Sequence, residues 1–367
     1  MYAGVETEIN KKALVDVAGR FERYSDFGTT LNFKVAGRYN ATDKIGARAT
    51  VSTGFRAPSL HQVYFNSVST QFVGEPLEPR QVLTANNPSG LAQEYGIPPL
   101  QQETSLNISA GLTARPVKNL SLTTDFYRTG INDRVVLSSR FPVDNPNFPS
   151  VSLAQFFMNA VDTTTMGVDV VATYNMKLSG GAKLDLSASA NFTKTSVDEI
   201  HIPEQLRAIY PGRSDALLQN DIFNREEANR YEDALPRQRA TASVRYKEGN
   251  VTLLGRARYF GDVWYRPNIV PDESPENIMI AQQCADDFNE LPCLDENFAG
   301  KVIFDADVGV QRGKWRFSVG ANNLFNTFPD RQSKDSNVSN GRFVYSRRVS
   351  QFGINGGFYY LRMQFIN

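Results

Sequence analysis

Residues able to do chemistry are scarce in this sequence: two histidines, His61 and His201, and two cysteines, Cys284 and Cys293, in 367 residues. The cysteines stand nine positions apart in Cys-Ala-Asp-Asp-Phe-Asn-Glu-Leu-Pro-Cys. That spacing is too wide for a redox Cys-x-x-Cys pair, and no histidine nearby completes a metal set. Two readings stay open, unrelated thiols or a disulfide closing a small loop in an oxidising compartment. The disulfide is the expectation. The acidic run from Cys284 to Asp295 could hold calcium through carboxylates, but a solvated loop is the simpler expectation. No His-Glu-x-x-His, Gly-x-Ser-x-Gly or phosphate loop occurs, so the sequence names no catalytic residue, no cofactor and no metal centre.

Aromatic side chains, by contrast, cluster in long polar stretches. They are Tyr64, Phe65 and Phe72, then Phe141, Phe148, Phe156 and Phe157, then Tyr259, Phe260, Trp264 and Tyr265. Ring faces suit capture of a small amphipathic ligand by stacking. Tyr64, Phe65, Phe72, Phe148, Phe156, Trp264 and Tyr265 are therefore the candidate ligand-binding residues. Tyr259 and Phe260 close a strand pattern and fit an interfacial aromatic belt instead.

The elements that must position these residues read as strands. Along Lys183 to Thr193, Leu184, Leu186, Ala188, Ala190 and Phe192 alternate with Asp185, Ser187, Ser189 and Asn191. Ser105 to Ala114 and Tyr359 to Phe365 repeat the same period of two. Basic residues recur on the polar face, among them Arg48, Arg239, Arg245, Arg256, Arg258 and Arg316. With 39 basic and 39 acidic residues, the net charge is zero. A nucleic-acid partner would leave a basic excess or stripe, so none is expected. Mean hydropathy is −0.37, and no apolar run approaches the roughly 18–20 residues of a membrane helix. A membrane β-barrel has the same bulk composition, because its strands are apolar on one side only.

The connections separate a barrel from a soluble sandwich. Strands are expected near 2–10, 14–24, 30–39, 45–54, 103–115, 120–132, 159–177, 182–195, 237–246, 251–260, 302–311, 315–325 and 357–366. Most match the roughly 9–11 residues that cross a bilayer at a tilt. Every second connection is tight, as at Lys11-Lys12, Lys247-Glu248-Gly249-Asn250 and Gly313-Lys314. The others are mostly long, roughly 25–50 residues, which argues against a compact soluble domain. Short turns on one rim and long loops on the other are the pattern of an antiparallel transmembrane barrel. About thirteen strands is an odd count, and a single-chain bacterial barrel has an even one. Met1 to Glu8 also lacks the basic start and apolar core of a signal peptide. Together these lead to the expectation of an open fragment of a larger barrel.

Three segments carry a resemblance to TonB-dependent outer-membrane receptors. They are Thr53-Gly54-Phe55-Arg56-Ala57-Pro58-Ser59-Leu60, Gly320-Ala321-Asn322-Asn323-Leu324-Phe325-Asn326, and the terminal Gly357-Phe358-Tyr359-Tyr360-Leu361-Arg362-Met363-Gln364-Phe365. Gly167-Val168-Asp169-Val170 and Leu122 to Tyr127 are also similar to the family. The resemblance runs in order along the whole chain. It implies an all-β, antiparallel barrel of 22 strands, of which residues 1–367 supply about thirteen, without the plug, the TonB-binding segment or a signal peptide. Phe55-Arg56-Ala57-Pro58 and Asn145-Pro146-Asn147-Phe148 resemble boxes of haem receptors, and His61 lies between them. The same first box occurs in receptors that do not bind haem.

The function this implies is uptake of a scarce ligand (iron-siderophore, haem, cobalamin or a glycan) at the outer face of the bacterial outer membrane. The implied partners are the TonB complex, the barrel assembly machinery, the lipid bilayer and a small extracellular ligand. The polar-face arginines are expected to meet acidic groups of a plug or to line its edge. The rival expectations are a passive porin or structural barrel, and a barrel enzyme.

Overall fold

The computed structural model describes residues 1–25, 27–73, 78–268, 295–333 and 343–366, with only the backbone for 71–73. Its main sheet is an unbroken antiparallel path of consecutive strands. In order they are β1 (Tyr2–Asn10), β2 (Ala13–Tyr24), β3 (Gly28–Thr42), β4 (Ile45–Arg56), β7 (Glu103–Ala114), β8 (Leu120–Leu137) and β10 (Leu153–Lys177), then β11 (Lys183–Ile200), β12 (Gln238–Glu248), β13 (Val251–Phe260), β16 (Lys301–Arg312), β17 (Trp315–Asn322) and β18 (Phe358–Phe365). All thirteen expected strands are present.

The register explains why this sequence makes a two-faced sheet. A one-residue slip would move every side chain to the other face, so matched apolar rows fix the pairing. Val5, Val17, Val35, Val51 and Ile108 form one such row across five strands. Leu253, Val308, Val319 and Leu361 form another. These side chains face outward without cover: Val5 is 68% exposed and Leu361 78%. A water-soluble monomer rarely leaves so large a contiguous apolar surface open, whereas lipid would solvate it.

The opposite face is polar and internally bonded. Arg48 grips Asp125 through Nε at 2.8 Å and a second nitrogen at 2.5 Å. Arg256 and Arg258 both bind Asp305, at 2.9 and 2.8 Å. Part of the polar-face arginine set thus finds its carboxylates within this chain. Three of the six are neutralised within the sheet itself: Asp305 stands on the strand beside Arg256 and Arg258, and Arg48 reaches Asp125 across the intervening strand at Gly111, where a side chain would block the path. Arg239, Arg245 and Arg316 have no carboxylate partner among the described residues.

Tyrosines on this face lie across neighbouring strands, and glycine makes room for them. A Cβ built at Gly167 would sit 2.5 Å from Tyr127 Cζ and 2.6 Å from the Phe192 carbonyl. At Gly320 the same device admits Tyr360, whose hydroxyl donates to Asp307 at 2.9 Å.

Two features complete the sheet. β1 pairs with β2 and β18 with β17, and no pairing joins the two ends, so the sheet is open. On the long-loop rim the connections carry secondary structure of their own. The chain forms β5 (Ser67–Val73), β6 (Glu78–Ala85), β9 (Phe141–Pro142), β14 (Val263–Tyr265) and β15 (Glu296–Phe298). It also forms short helices α1 (Leu60–Tyr64), α2 (Gly90–Glu94), α3 (Glu204–Ile209), α4 (Asp215–Ile222) and α5 (Arg225–Glu232). Cys284 and Cys293 lie outside the described residues.

Candidate ligand-binding site in the outer loops

Loops this long must bury a core of their own, because their backbone polar groups need partners and their apolar side chains need cover. β5 and β6 form a hairpin, and β6 runs parallel to the overhanging start of β10, pairing Leu153–Phe156 with Val82–Ala85. Around this seam Leu83, Leu91, Phe141, Phe156, Met158, Leu206, Ile222 and Phe223 make one apolar core drawn from three separate connections. A smaller core joins Ala234, Val263, Tyr265, Phe298 and Val349.

Local signals set the helices over this core. Ser214 caps α4 by accepting from the Leu217 amide, and Asn224 caps α5 by accepting from the Glu227 amide at 3.0 Å. Asp215, Glu226 and Glu227 fall in the first turns, where carboxylates favour the helix dipole. Arg225 binds Asp295 at 2.8 Å, and Arg266 binds Asp233 at 3.2 Å. Both pairs are largely shielded from water, so they tie the loop segments together firmly. The buried Tyr95 and half-buried Tyr210 hydroxyls donate to the Pro142 carbonyl, at 2.5 and 3.3 Å. Burial pushes both phenols up, Tyr210 well above the usual tyrosine range.

Between the tip of β8, α4 and α5 lies a polar cavity of about 550 Å³. Ser139, Arg140, Asp221, Glu227, Arg230 and Arg348 are among its lining residues. Most of its charges are matched: Arg213 with Asp221 at 2.5 Å, Arg230 with Glu227 at 2.9 Å, and Arg348 with Glu226 at 3.0 Å. Burial pushes the Asp221 and Glu227 carboxyls up. Arg140 differs. No carboxylate partners it among the described residues, and burial pulls its guanidinium down from the ordinary arginine range. An unmatched cation in a half-enclosed polar cavity is suited to an anionic group on a ligand.

The aromatic candidates are scattered rather than convergent. Tyr64 is exposed at the end of α1, and Phe65 follows it half-buried, its ring 4.6 Å from that of His61. Trp264 is 37% exposed on β14. Phe148 packs against the main loop core. Phe156 and Tyr265, 1% and 5% exposed, are interior residues of the two cores. Expected at a ligand surface, both rings are packed among apolar neighbours in this structure. The side chain of Phe72 lies outside the described residues. Arg56 is held by Glu103 across the β4–β7 pair, so it is a strand clamp in the Phe-Arg-Ala-Pro segment. Arg140 and its cavity were missed by sequence reasoning. Only an arginine in a loop marks them, and the residues that neutralise its neighbours, Arg213, Arg230 and Arg348, lie far along the chain.

Comparison with known proteins agrees with this architecture. The model of the TonB dependent receptor-like β-barrel family matches residues 1–324. No curated protein sequence matches the chain. Similar solved structures include a mutant of the ferric enterobactin receptor PfeA from Pseudomonas aeruginosa, with a TM-score of 0.65 and 12% identity over 99% of this chain and 44% of that one. The siderophore receptor PirA from Acinetobacter baumannii gives 0.63 and 12%, over 99% and 45%. A variant of the iron transporter FrpB from Neisseria meningitidis gives 0.55 and 14%, over 99% and 44%. The chain thus spans under half the length of these structures, and at such identities the likeness concerns the fold. The open antiparallel sheet, its apolar outer face, its loop cap and the family match over residues 1–324 lead to one assignment: the chain belongs to the TonB-dependent receptor β-barrel family of the outer membrane.

Proposed function

We propose that this chain forms barrel wall and outer loops of an importer that captures a small anionic iron chelate at the outer face and passes it inward under TonB power. In this reading residues 1–367 supply one unit, the barrel strands with their ligand-gathering loops, and the lumen-facing polar surface borders the path. The observation that carries the ligand class is the unmatched Arg140 in the loop cavity. The similar structures named above are those of iron and siderophore receptors, which favours an iron chelate over haem, cobalamin or a glycan. Haem is further disfavoured by His61, whose ring lies against Phe65, and by Arg56, which Glu103 occupies. Binding and a conformational step make up the work, with no reaction catalysed.

The test is binding of ferric catecholate, ferric hydroxamate, haem and cobalamin to the full chain in detergent, read by quenching of tryptophan emission. The expected result is saturable binding of one anionic ferric chelate. Arg140→Ala should weaken it roughly ten- to hundredfold, the worth of one hydrogen bond to a charged group. Equal affinity in parent and variant would remove the cavity from the account, and binding of cobalamin or haem alone would overturn the ligand class.

A further inference from the structure

A second site stands at the outer ends of the longest strands. There the ladder breaks on both sides of β10. Its register with β8 shifts between Asn159 and Val161 and again between Val161 and Thr163, and its register with β11 shifts between Asp162 and Thr163. Bulges of this kind re-aim side chains. Here they bring Asp133 from β8, Asp162 from β10 and His201 from just beyond β11 together, with one donor atom of each lying within 4.8 Å of the others.

We propose that Asp133, Asp162 and His201 bind a first-row divalent cation of the zinc class. His201 Nε2 is already 3.1 Å from Asp162 Oδ1, which also accepts the Asp133 amide at 2.8 Å. Nδ1 of the same ring faces Glu199 Oε1 at 3.7 Å. A carboxylate behind the far nitrogen is the usual outer support of a metal-binding imidazole, fixing its tautomer and orientation. Asn159 Nδ2 donates to the Asp133 carbonyl at 2.6 Å and so anchors that turn. Neither Asp133, Asp162 nor Glu199 has a lysine or arginine partner among the described residues; His201 alone faces the acids. One imidazole and two carboxylates match zinc, with a fourth position left for water, and fit calcium less well because calcium takes oxygen ligands. The cation would lock β8, β10 and the segment leading to α3 into one unit. Its ligands come from three separate elements, so no sequence spacing announces it.

The test uses the full chain in detergent with Cys284 and Cys293 replaced by serine and no affinity tag, stripped with a chelator. Zn²⁺ is titrated in competition with a colorimetric chelator. One Zn²⁺ per chain is expected. Asp162→Asn and His201→Gln should each weaken binding at least tenfold, and Glu199→Gln by about 10- to 100-fold. Asp43→Asn, in a short turn on the opposite rim, should change nothing. Urea midpoints of the variants in excess chelator should match the parent, which separates lost ligands from lost folding. Should a variant fail that control, the Co²⁺-loaded parent decides. A four-coordinate ligand-field spectrum that includes a histidine nitrogen supports the site, and its absence overturns it. No Zn²⁺ binding by the parent, or undiminished binding by both folded variants, also overturns it.

Discussion

An arginine placed on either face of one strand pair should have opposite consequences. Val170 lies on the apolar face, paired with Ala190 and Thr124. It is four residues from Tyr174, which marks the aromatic level near the short-turn rim. At a tilt near 45° each residue climbs about 2.4 Å, so Val170 sits roughly 10 Å inside an apolar band about 25 Å tall. That is close to the midplane, where an arginine costs about 2–4 kcal/mol. Val170→Arg should therefore lower the equilibrium constant for the lipid-embedded state by roughly 30- to 700-fold. Ser189 lies on the polar face, between Val171 and Thr241. Ser189→Arg meets water or polar groups and should be within about 0.5 kcal/mol of the parent. The assay is urea unfolding of the full chain in phospholipid vesicles, followed by tryptophan emission. Equal midpoints for the two variants would refute the assignment of faces.

Three further outcomes are expected, two from the geometry and one from the sequence. Gly167→Ala should drive Tyr127 off the neighbouring strand, away from its 2.5 Å hydrogen bond with Thr193, and cost about 1–3 kcal/mol in the same unfolding assay; Tyr127→Ala in that background should recover part of the loss. Burial holds the Glu227 carboxyl above its ordinary range, so it takes up a proton earlier than exposed carboxylates as pH falls from neutrality. The cavity then gains positive charge, and affinity for an anionic chelate should rise on mild acidification; a steady fall in affinity would contradict the role of Arg140. A disulfide is proposed between Cys284 and Cys293, and mass spectrometry of non-reduced peptides from the cell envelope should find them linked rather than free.

The sheet was legible because its two signals are local. Strict alternation fixes each strand's faces, and turn residues such as Gly249 and Gly313, both at positive φ, fix where the chain reverses. The overhang of β10 was not legible: Ala154, Phe156, Met158 and Ala160 are buried while Leu153, Gln155, Phe157 and Asn159 are half-buried, but Leu153 and Phe157 are apolar too, so the residue types do not show the alternation that the burial does. The loop helices carried readable caps at Ser214 and Asn224, but their apolar residues are too few to set a helical period. Aromatic content marked the loops, but not which of its rings are buried. Phe156 and Tyr265 are large and apolar, which is why they fill the loop cores instead of lining a surface. Arg140 and the group at Asp133, Asp162 and His201 depend on contacts between distant segments, which residue spacing cannot show.

The central claim is that the sheet spans a bilayer with its apolar face in lipid and its loops outside. Spin labels placed singly from Leu184 to Thr193, in chain lacking Cys284 and Cys293 and embedded in lipid vesicles, test it most directly. Collision with oxygen, which concentrates in hydrocarbon, should peak at Leu186, Ala188, Ala190 and Phe192, and collision with a polar nickel chelate at Ser187, Ser189 and Asn191, in a period of two. Uniform access to the nickel chelate at every position would contradict the account.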